Sequence, residues 1–299
     1  MTQSRPMTAL EWLMLITLSV VWGGSFFFAA VAVQEIPPLT VAFIRVLGAA
    51  AVLWLVLVAM GRRLPLTRRV WAAFFLMGLI NNVIPFSLIF WAQTEVASGL
   101  ASILNAMTPI FTVVVAHAST ADEKVTWNRA LGVILGFAGV VVIFAGRIEG
   151  ASALWAMIAL LAATVSYAFA TVFGKQFVRM GVAPMDTATG QVTASSVILL
   201  PVILLVDQPW VLAMPSAPTV WSLVGLVLLS TAFAYFLFFR ILSTAGATNL
   251  SLVTLLIPVS AIFLGMLFLD EVLTSWHVAG LGLITAGLLA IDGRVLRRR

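Results

Sequence analysis

Side chains able to do chemistry are few in this chain, and almost none of them could make or break a covalent bond. There is no cysteine, and His117 and His277 are the two histidines. The chain therefore has no thiolate nucleophile, disulfide framework or Cys-ligated metal. Neither HExxH nor GxSxG occurs, so metal-assisted and serine hydrolysis lack their signatures. No catalytic residue, metal site or cofactor is expected. What remains are polar side chains set singly in apolar runs: Ser25, Asn81, Asn82, Asn105, Tyr167, Gln191, Ser195 and Tyr235. A charge at the centre of a membrane span costs about 2.5 to 3.5 kcal/mol, and polar groups there normally face a cavity or another helix. The chemistry open to this set is recognition inside a partly polar, aromatic-walled cavity. The expected substrate contacts are Trp22, Ser25, Asn82, Trp91, Tyr167, Gln191 and Tyr235. Arg45, roughly 10 Å from the end of its run at 1.5 Å per residue, has two readings. It either receives a substrate carboxylate, or is a structural arginine that snorkels outward or pairs with Glu35 or with helix carbonyls.

The runs that hold these residues set the class of the protein. The chain is 62% hydrophobic and 9% charged, against about 25% charged in an ordinary soluble domain, which makes it an all-α integral membrane protein with the lipid bilayer as partner. A span needs about 20 residues to cross about 30 Å of hydrocarbon, and ten runs qualify: 9–33, 38–60, 70–92, 97–119, 128–146, 151–174, 185–206, 219–241, 247–269 and 275–293. Ala30-Val31-Ala32 looks like a signal-peptidase site, but the run before it is longer than a signal peptide's. The net charge of +5 does not imply nucleic acid, because the basic residues sit in short groups between runs, where they orient spans.

Much of Ala97–Glu123 is written again as Ala247–Glu271. Pro109 matches Pro258 in mid-span, and Asp122-Glu123 matches Asp270-Glu271 just beyond the span. Such a repeat points to a bundle duplicated within the chain, with halves 1–147 and 148–299. Pro38 pairs with Pro184, placing Arg45 opposite Gln191, and Asn81-Asn82 falls near Ser230-Thr231. Gly132 and Gly139 pair with Gly280 and Gly287, close-approach positions read as packing within one chain rather than as a dimer face, so a monomer is expected. Pro85, Pro109 and Pro258 should kink their helices. Pro85 removes the amide that would bond the carbonyl of Asn81, and Pro109 does the same to Asn105. With cytoplasmic termini, the inner segments hold all basic residues except Arg45 and the external Arg147. Five spans per half is an odd number, so the second half enters the membrane inverted.

WGGSF in the first span, an arginine in the second, a mid-span proline and then an acidic pair in the fourth and ninth, and glycine-rich fifth and tenth spans resemble the drug/metabolite transporter superfamily. Within it the chain is similar to EamA-type exporters, and among these to the YddG-type exporters of aromatic and other neutral amino acids. The resemblance implies ten helices, as two inverted five-helix repeats around a central cavity, and export of small metabolites from the cytoplasm.

The expected function is therefore an inner-membrane transporter that exports small neutral or aromatic metabolites, amino acids foremost, by alternating access. Every acidic residue falls near a span end, leaving no mid-depth carboxylate for an ion, so uniport is expected, with unwound carbonyls near Pro109 or Pro258 as the remaining sodium site and His117 as the remaining proton site. One alternative is a lipid-intermediate flippase, for which only Arg45 could meet a phosphate. The other is a multidrug or other metabolite exporter, for which a cation-binding carboxylate inside the first span is missing, Glu11 lying at its end. In this cysteine-free chain, Thr67→Cys should be shielded from an impermeant thiol reagent in intact cells and Ala213→Cys should be labelled. The opposite pattern would overturn the orientation.

Overall fold

The structure is a computed structural model that describes residues 7–65, 67–119, 126–146 and 150–292, without the side chains of Phe239, Ala247, Thr248 and Asp292. Asp122-Glu123, Lys124, Arg5, Arg147, Glu149 and the arginines after residue 293 lie outside these residues. Among the described residues every regular element is helical.

α1 (Ala9–Ala32) begins with a capping box, in which the Thr8 hydroxyl accepts the Glu11 amide and the Glu11 carboxylate accepts the Thr8 amide at 2.8 Å. That exchange satisfies amides a helix start leaves open. It also holds Glu11 at the helix end, away from mid-depth. α2 (Pro38–Ala59) starts on a proline, whose missing amide costs nothing in a first turn. The next helix is α3 (Arg68–Gly78), a π-helical segment (Leu79–Val83) and α4 (Ile84–Ala92) in one run, followed by α5 (Ser98–Asn105) and α6 (Thr108–Ser119), broken just before Pro109. α7 (Trp127–Ala145), α8 (Ala151–Arg179) and α9 (Pro184–Val206) come next. Then α10 (Ala217–Val224) passes through a second π segment (Gly225–Phe233) into α11 (Ala234–Ala245). The short α12 (Ala247–Leu250), α13 (Val253–Phe268) and α14 (Ser275–Asp292) complete the chain.

Among the described residues eight helices are long and apolar enough to cross a membrane, counting α3–α4, α5–α6 and α10–α11 as one each, while α13 and α14 are shorter apolar helices. α8 continues to Arg179, past the expected limit at 174. Its last turn has a reason to stay helical, since Phe177 is 3% exposed and stacks on Phe74 with ring centroids 5.6 Å apart. Pro258 lies inside α13, and Pro201, which the sequence reading did not single out, lies inside α9.

Glycine decides where the helices touch. α7 packs along α14, and a Cβ on Gly139 would stand 2.7 Å from the Gly280 carbonyl oxygen while one on Gly132 would stand 2.5 Å from that of Gly287. The reverse contacts are as close: 2.8 Å from Gly280 to the Gly139 oxygen and 2.6 Å from Gly287 to the Gly132 oxygen. In WGGSF, Gly23 lets α1 meet α13, where a Cβ would lie 2.8 Å from the Ala261 amide nitrogen.

Alanine normally improves on glycine inside a helix by about 0.5 to 1 kcal/mol. Gly282, on α14 with nothing within 4 Å of its Cβ position, should follow that rule. Gly139→Ala should instead destabilise by about 1 to 3 kcal/mol, because the atom it meets is backbone. Thermal unfolding of both variants in one detergent checks this, and equal stability would contradict the close α7–α14 contact.

Candidate functional site

Helical periodicity and two π segments bring the polar residues to one place. On α1, Trp22, Ser25 and Phe26, spaced three and four residues apart, share the face that lines the interior. In the first π segment the Ile84 amide bonds the Leu79 carbonyl, five residues back. In that register the carbonyl left open by Pro85 belongs to Ile80, not to Asn81 as an uninterrupted α-helix would have it. The Ser166 hydroxyl of α8 donates to it at 2.7 Å. The extra residue of the wider turn is what lets both Asn81 and Asn82 line the interior. In the second π segment the Thr231 hydroxyl donates to the Leu226 carbonyl, also five residues back, at 2.8 Å. The Asn105 carbonyl freed by Pro109 accepts the Thr108 hydroxyl at 2.8 Å.

These elements enclose a cavity of about 560 Å³. Six of the seven expected contacts line it: Trp22, Ser25, Asn82, Tyr167, Gln191 and Tyr235. Trp91 does not. It is 41% exposed on the outside of the bundle, because each helical residue turns about 100° and the inward face of α4 carries Phe86 and Phe90 instead. Those two rings stack with centroids 5.9 Å apart, and Trp22 packs on Phe238 at 5.8 Å. Most of the polar strip is internally satisfied. Asn81 Nδ2 donates to Gln191 Oε1 at 3.1 Å, Gln191 Nε2 to the Tyr235 hydroxyl at 3.1 Å, and Asn82 Nδ2 to Ser195 Oγ at 3.0 Å. Ser195 is buried between α3 and α9, where it donates to the Gln191 and Gly78 carbonyls.

Arg45 neither snorkels nor pairs with Glu35. It is 7% exposed and turns inward, with Nε donating to Thr231 Oγ1 at 3.2 Å and Nη1 to Ser25 Oγ at 2.9 Å. Its guanidinium lies over the Phe86 ring, 4.1 Å from the centroid, an attraction of about 0.5 to 2 kcal/mol. Among the described residues it has no carboxylate partner, and no aspartate or glutamate lines the cavity. The sequence reading missed Gln93, whose Nε2 donates to the Phe26 carbonyl at 2.8 Å, leaving Oε1 buried without a partner. Its signal was a polar residue one turn past Phe90 on the same face. Asn105 Oδ1 is likewise unpartnered.

The cavity runs toward the end of the bundle where α8 meets α9, past Gly174, Val178, Val182 and Thr187. At the opposite end three carboxylates bind the starts of other helices. Glu35 accepts the Ser216 amide at 2.6 Å and its hydroxyl at 2.5 Å. Asp207 accepts the Thr40 amide at 2.8 Å and its hydroxyl at 2.7 Å. Glu271 accepts the amides of Ser98 at 2.6 Å and Gly99 at 2.9 Å. Negative charge is favoured at helix N-termini. The Ser216 hydroxyl and amide hold the Glu35 carboxyl below the usual carboxylate range. That tie is therefore present above the ordinary carboxylate pKa and is lost as pH falls through the lowered one. At the cavity's open end, Arg62 and Asp186 form an ion pair at 2.9 Å.

Ser166→Ala should cost about 1 to 3 kcal/mol, by leaving the Ile80 carbonyl without a donor. Ser87→Ala, whose hydroxyl makes no hydrogen bond, should be nearly neutral. Thermal unfolding in detergent distinguishes them, and equal effects would remove Ser166 from the support of the π segment.

Residues 10–145 and 154–291 each match the EamA-like transporter family. Over 292 residues the chain is 29% identical to the uncharacterized transporter YoaV of Bacillus subtilis (strain 168), covering 95% of this chain and 97% of that one. It is 27% identical to the uncharacterized inner membrane transporter YedA of Escherichia coli (strain K12), covering 93% of this chain and 89% of the relative. A probable terminal-alkyne amino-acid exporter of Streptantibioticus cattleyicolor is 27% identical over 211 residues, 70% of this chain and 69% of its own. With helices long and apolar enough to cross a bilayer many times and two family matches spanning most of its length, the chain is a multi-pass membrane protein that belongs to the EamA-like transporter family.

Proposed function

We propose that this protein exports small neutral or aromatic metabolites, amino acids foremost, across the inner membrane by alternating access, as a uniporter and a monomer. The observation that carries the reading is the cavity: aromatic walls, one strip of uncharged hydrogen-bonding groups, and a single cation without an acid among its described lining residues. Its volume of about 560 Å³ lies within the roughly 300 to 1,000 Å³ of small-molecule sites, which pair apolar surface with a few placed polar groups. The amino-acid exporter among the relatives supports the substrate class, and the inner membrane transporter YedA supports the inner membrane. The YddG-like specificity for aromatic amino acids rests on the rings of Trp22, Phe86 and Tyr167.

The alternating halves are 1–147 and 148–299, ten spans in two inverted sets with α13 and α14 as the last two. The two family matches and the reciprocal contacts of Gly132 with Gly287 and Gly139 with Gly280 support that duplication. Each carboxylate tie joins one half to the other: Glu35 to Ser216, Asp207 to Thr40 and Glu271 to Ser98. With the termini cytoplasmic, the ties seal the external end and the cavity opens inward, ready to load. Export then requires the ties to part and the α8–α9 end to close. A flippase is less well supported, since among the described residues Arg45 is the only basic one lining the cavity. A cation exporter lacks an acid there.

Uptake into liposomes, with labelled amino acids, nucleosides and cationic dyes, tests the reading. Amino acids with apolar or aromatic side chains should move, and dyes should not. Gln191→Ala and Tyr235→Ala should each weaken apparent affinity about tenfold, the effect of losing a hydrogen bond or two. Unchanged affinity in folded protein would remove the cavity from the transport path. With substrate equal on both sides and membrane potential clamped, neither a pH step nor a sodium gradient should drive accumulation. Accumulation in either case would overturn uniport.

A further inference from the structure

We propose that the group this cavity selects is a carboxylate held by Arg45 and that the substrate's amino group is dispensable, so the natural class is small apolar or aromatic monocarboxylates, amino acids being one subset. The inference rests on the transport reading above and shifts its substrate class from neutral metabolites to carboxylates.

A guanidinium carries five N–H donors and stays charged in proteins. Two of Arg45's are engaged, Nε–H on Thr231 and one on Nη1 with Ser25. Three remain, one on Nη1 and both on Nη2, and Nη2 contributes one hydrogen to each of the two edges that present paired N–H groups at the spacing of two carboxylate oxygens. Phe86 covers a face of the guanidinium at 4.1 Å, leaving the Nη2 side as the direction of approach. Thr231, in the second π segment, and Ser25, on α1, fix the plane from two helices. A buried cation without a counter-ion is costly, and an arriving carboxylate removes that cost. Nothing comparable awaits an ammonium group. No acid lines the cavity among the described residues, and Gln191, Asn81 and Asn82 are already bonded to one another or to Tyr235 and Ser195. Asn105 Oδ1 is unpartnered but neutral, and a neutral acceptor contributes about half of what an ionic one does. An amino group is therefore tolerated, not required.

The test uses the full chain in liposomes and four probes with one phenyl ring: 3-phenylpropionate, phenylalanine, phenylalanine amide and phenethylamine. Each competes against a labelled transported substrate, and binding is read in parallel by thermal shift. 3-Phenylpropionate and phenylalanine should compete at similar concentrations, and the amide and amine at least about tenfold less well. Arg45→Gln should erase that preference, and Arg45→Lys, which keeps the charge but loses the two-pronged edge, should fall between. If neither variant folds, the four-probe series on the unaltered protein still decides the carboxylate rule. The proposal is overturned if the amine or amide competes as well as the acids, if 3-phenylpropionate fails where phenylalanine succeeds, or if Arg45→Gln keeps the preference. In those cases the transport reading stands. If none of the four competes while nucleosides or dyes are carried, the reading and the inference fall together.

Discussion

A bilayer supplies no water to a broken helical hydrogen bond, so every carbonyl opened by a proline has to be answered from within the bundle. That constraint sets the geometry of the interior. Pro85 sits one turn beyond Asn81-Asn82, and the chain meets the missing amide by widening into a π turn and borrowing the Ser166 hydroxyl for Ile80. Pro109 is met by ending α5 and letting Thr108 answer Asn105. The second π segment, with no proline, places Thr231 so that one hydroxyl donates to the Leu226 carbonyl and accepts from Arg45. Of the side chains satisfying the backbone, Thr108 and Thr231 also line the cavity, and such groups cannot rotate freely without exposing a carbonyl to hydrocarbon.

Charge is distributed by the same economy. An ion at mid-depth is costly, and Glu35, Asp207, Glu271 and Asp186 stand at helix ends, where they bind exposed amides or, for Asp186, an arginine. Arg45 is the exception. Its burial is offset by two hydroxyls and the face of Phe86 rather than by a carboxylate. A fully paired arginine would only brace α1 against the second π segment. One with an open edge is also a receiver, and the surrounding aromatics raise the strength of any ionic contact made there by excluding water.

The ends of the bundle differ for related reasons. Three carboxylate-capped helix starts gather at one end, each pairing segments from different family matches. At the other, the described inter-segment ionic contact is Arg62 with Asp186, at the surface of an opening that reaches Val182 and Thr187. Charged caps of this kind are strong enough to hold a closed end and exposed enough to exchange for water when the helices part. The proposed alternation needs that balance.

Composition and periodicity by themselves determined the membrane class, the limits of the eight described long helices to within a few residues, the glycine faces and most of the cavity's polar groups. Those features follow from local physics: about 20 apolar residues cross a bilayer, and a lone polar residue in such a run must turn inward. Tertiary structure decided the rest. Trp91 and Phe90 are equally aromatic in sequence, and only the rotation of α4 sends one outward and the other to the cavity. The open carbonyl moved from Asn81 to Ile80 because a π turn changes the register by one residue, and no residue type announces that. Arg45 could have snorkelled or paired with Glu35. Its inward course was settled by Ser25, Thr231 and Phe86, residues 20, 186 and 41 positions away along the chain, which come together only when three other helices pack around it.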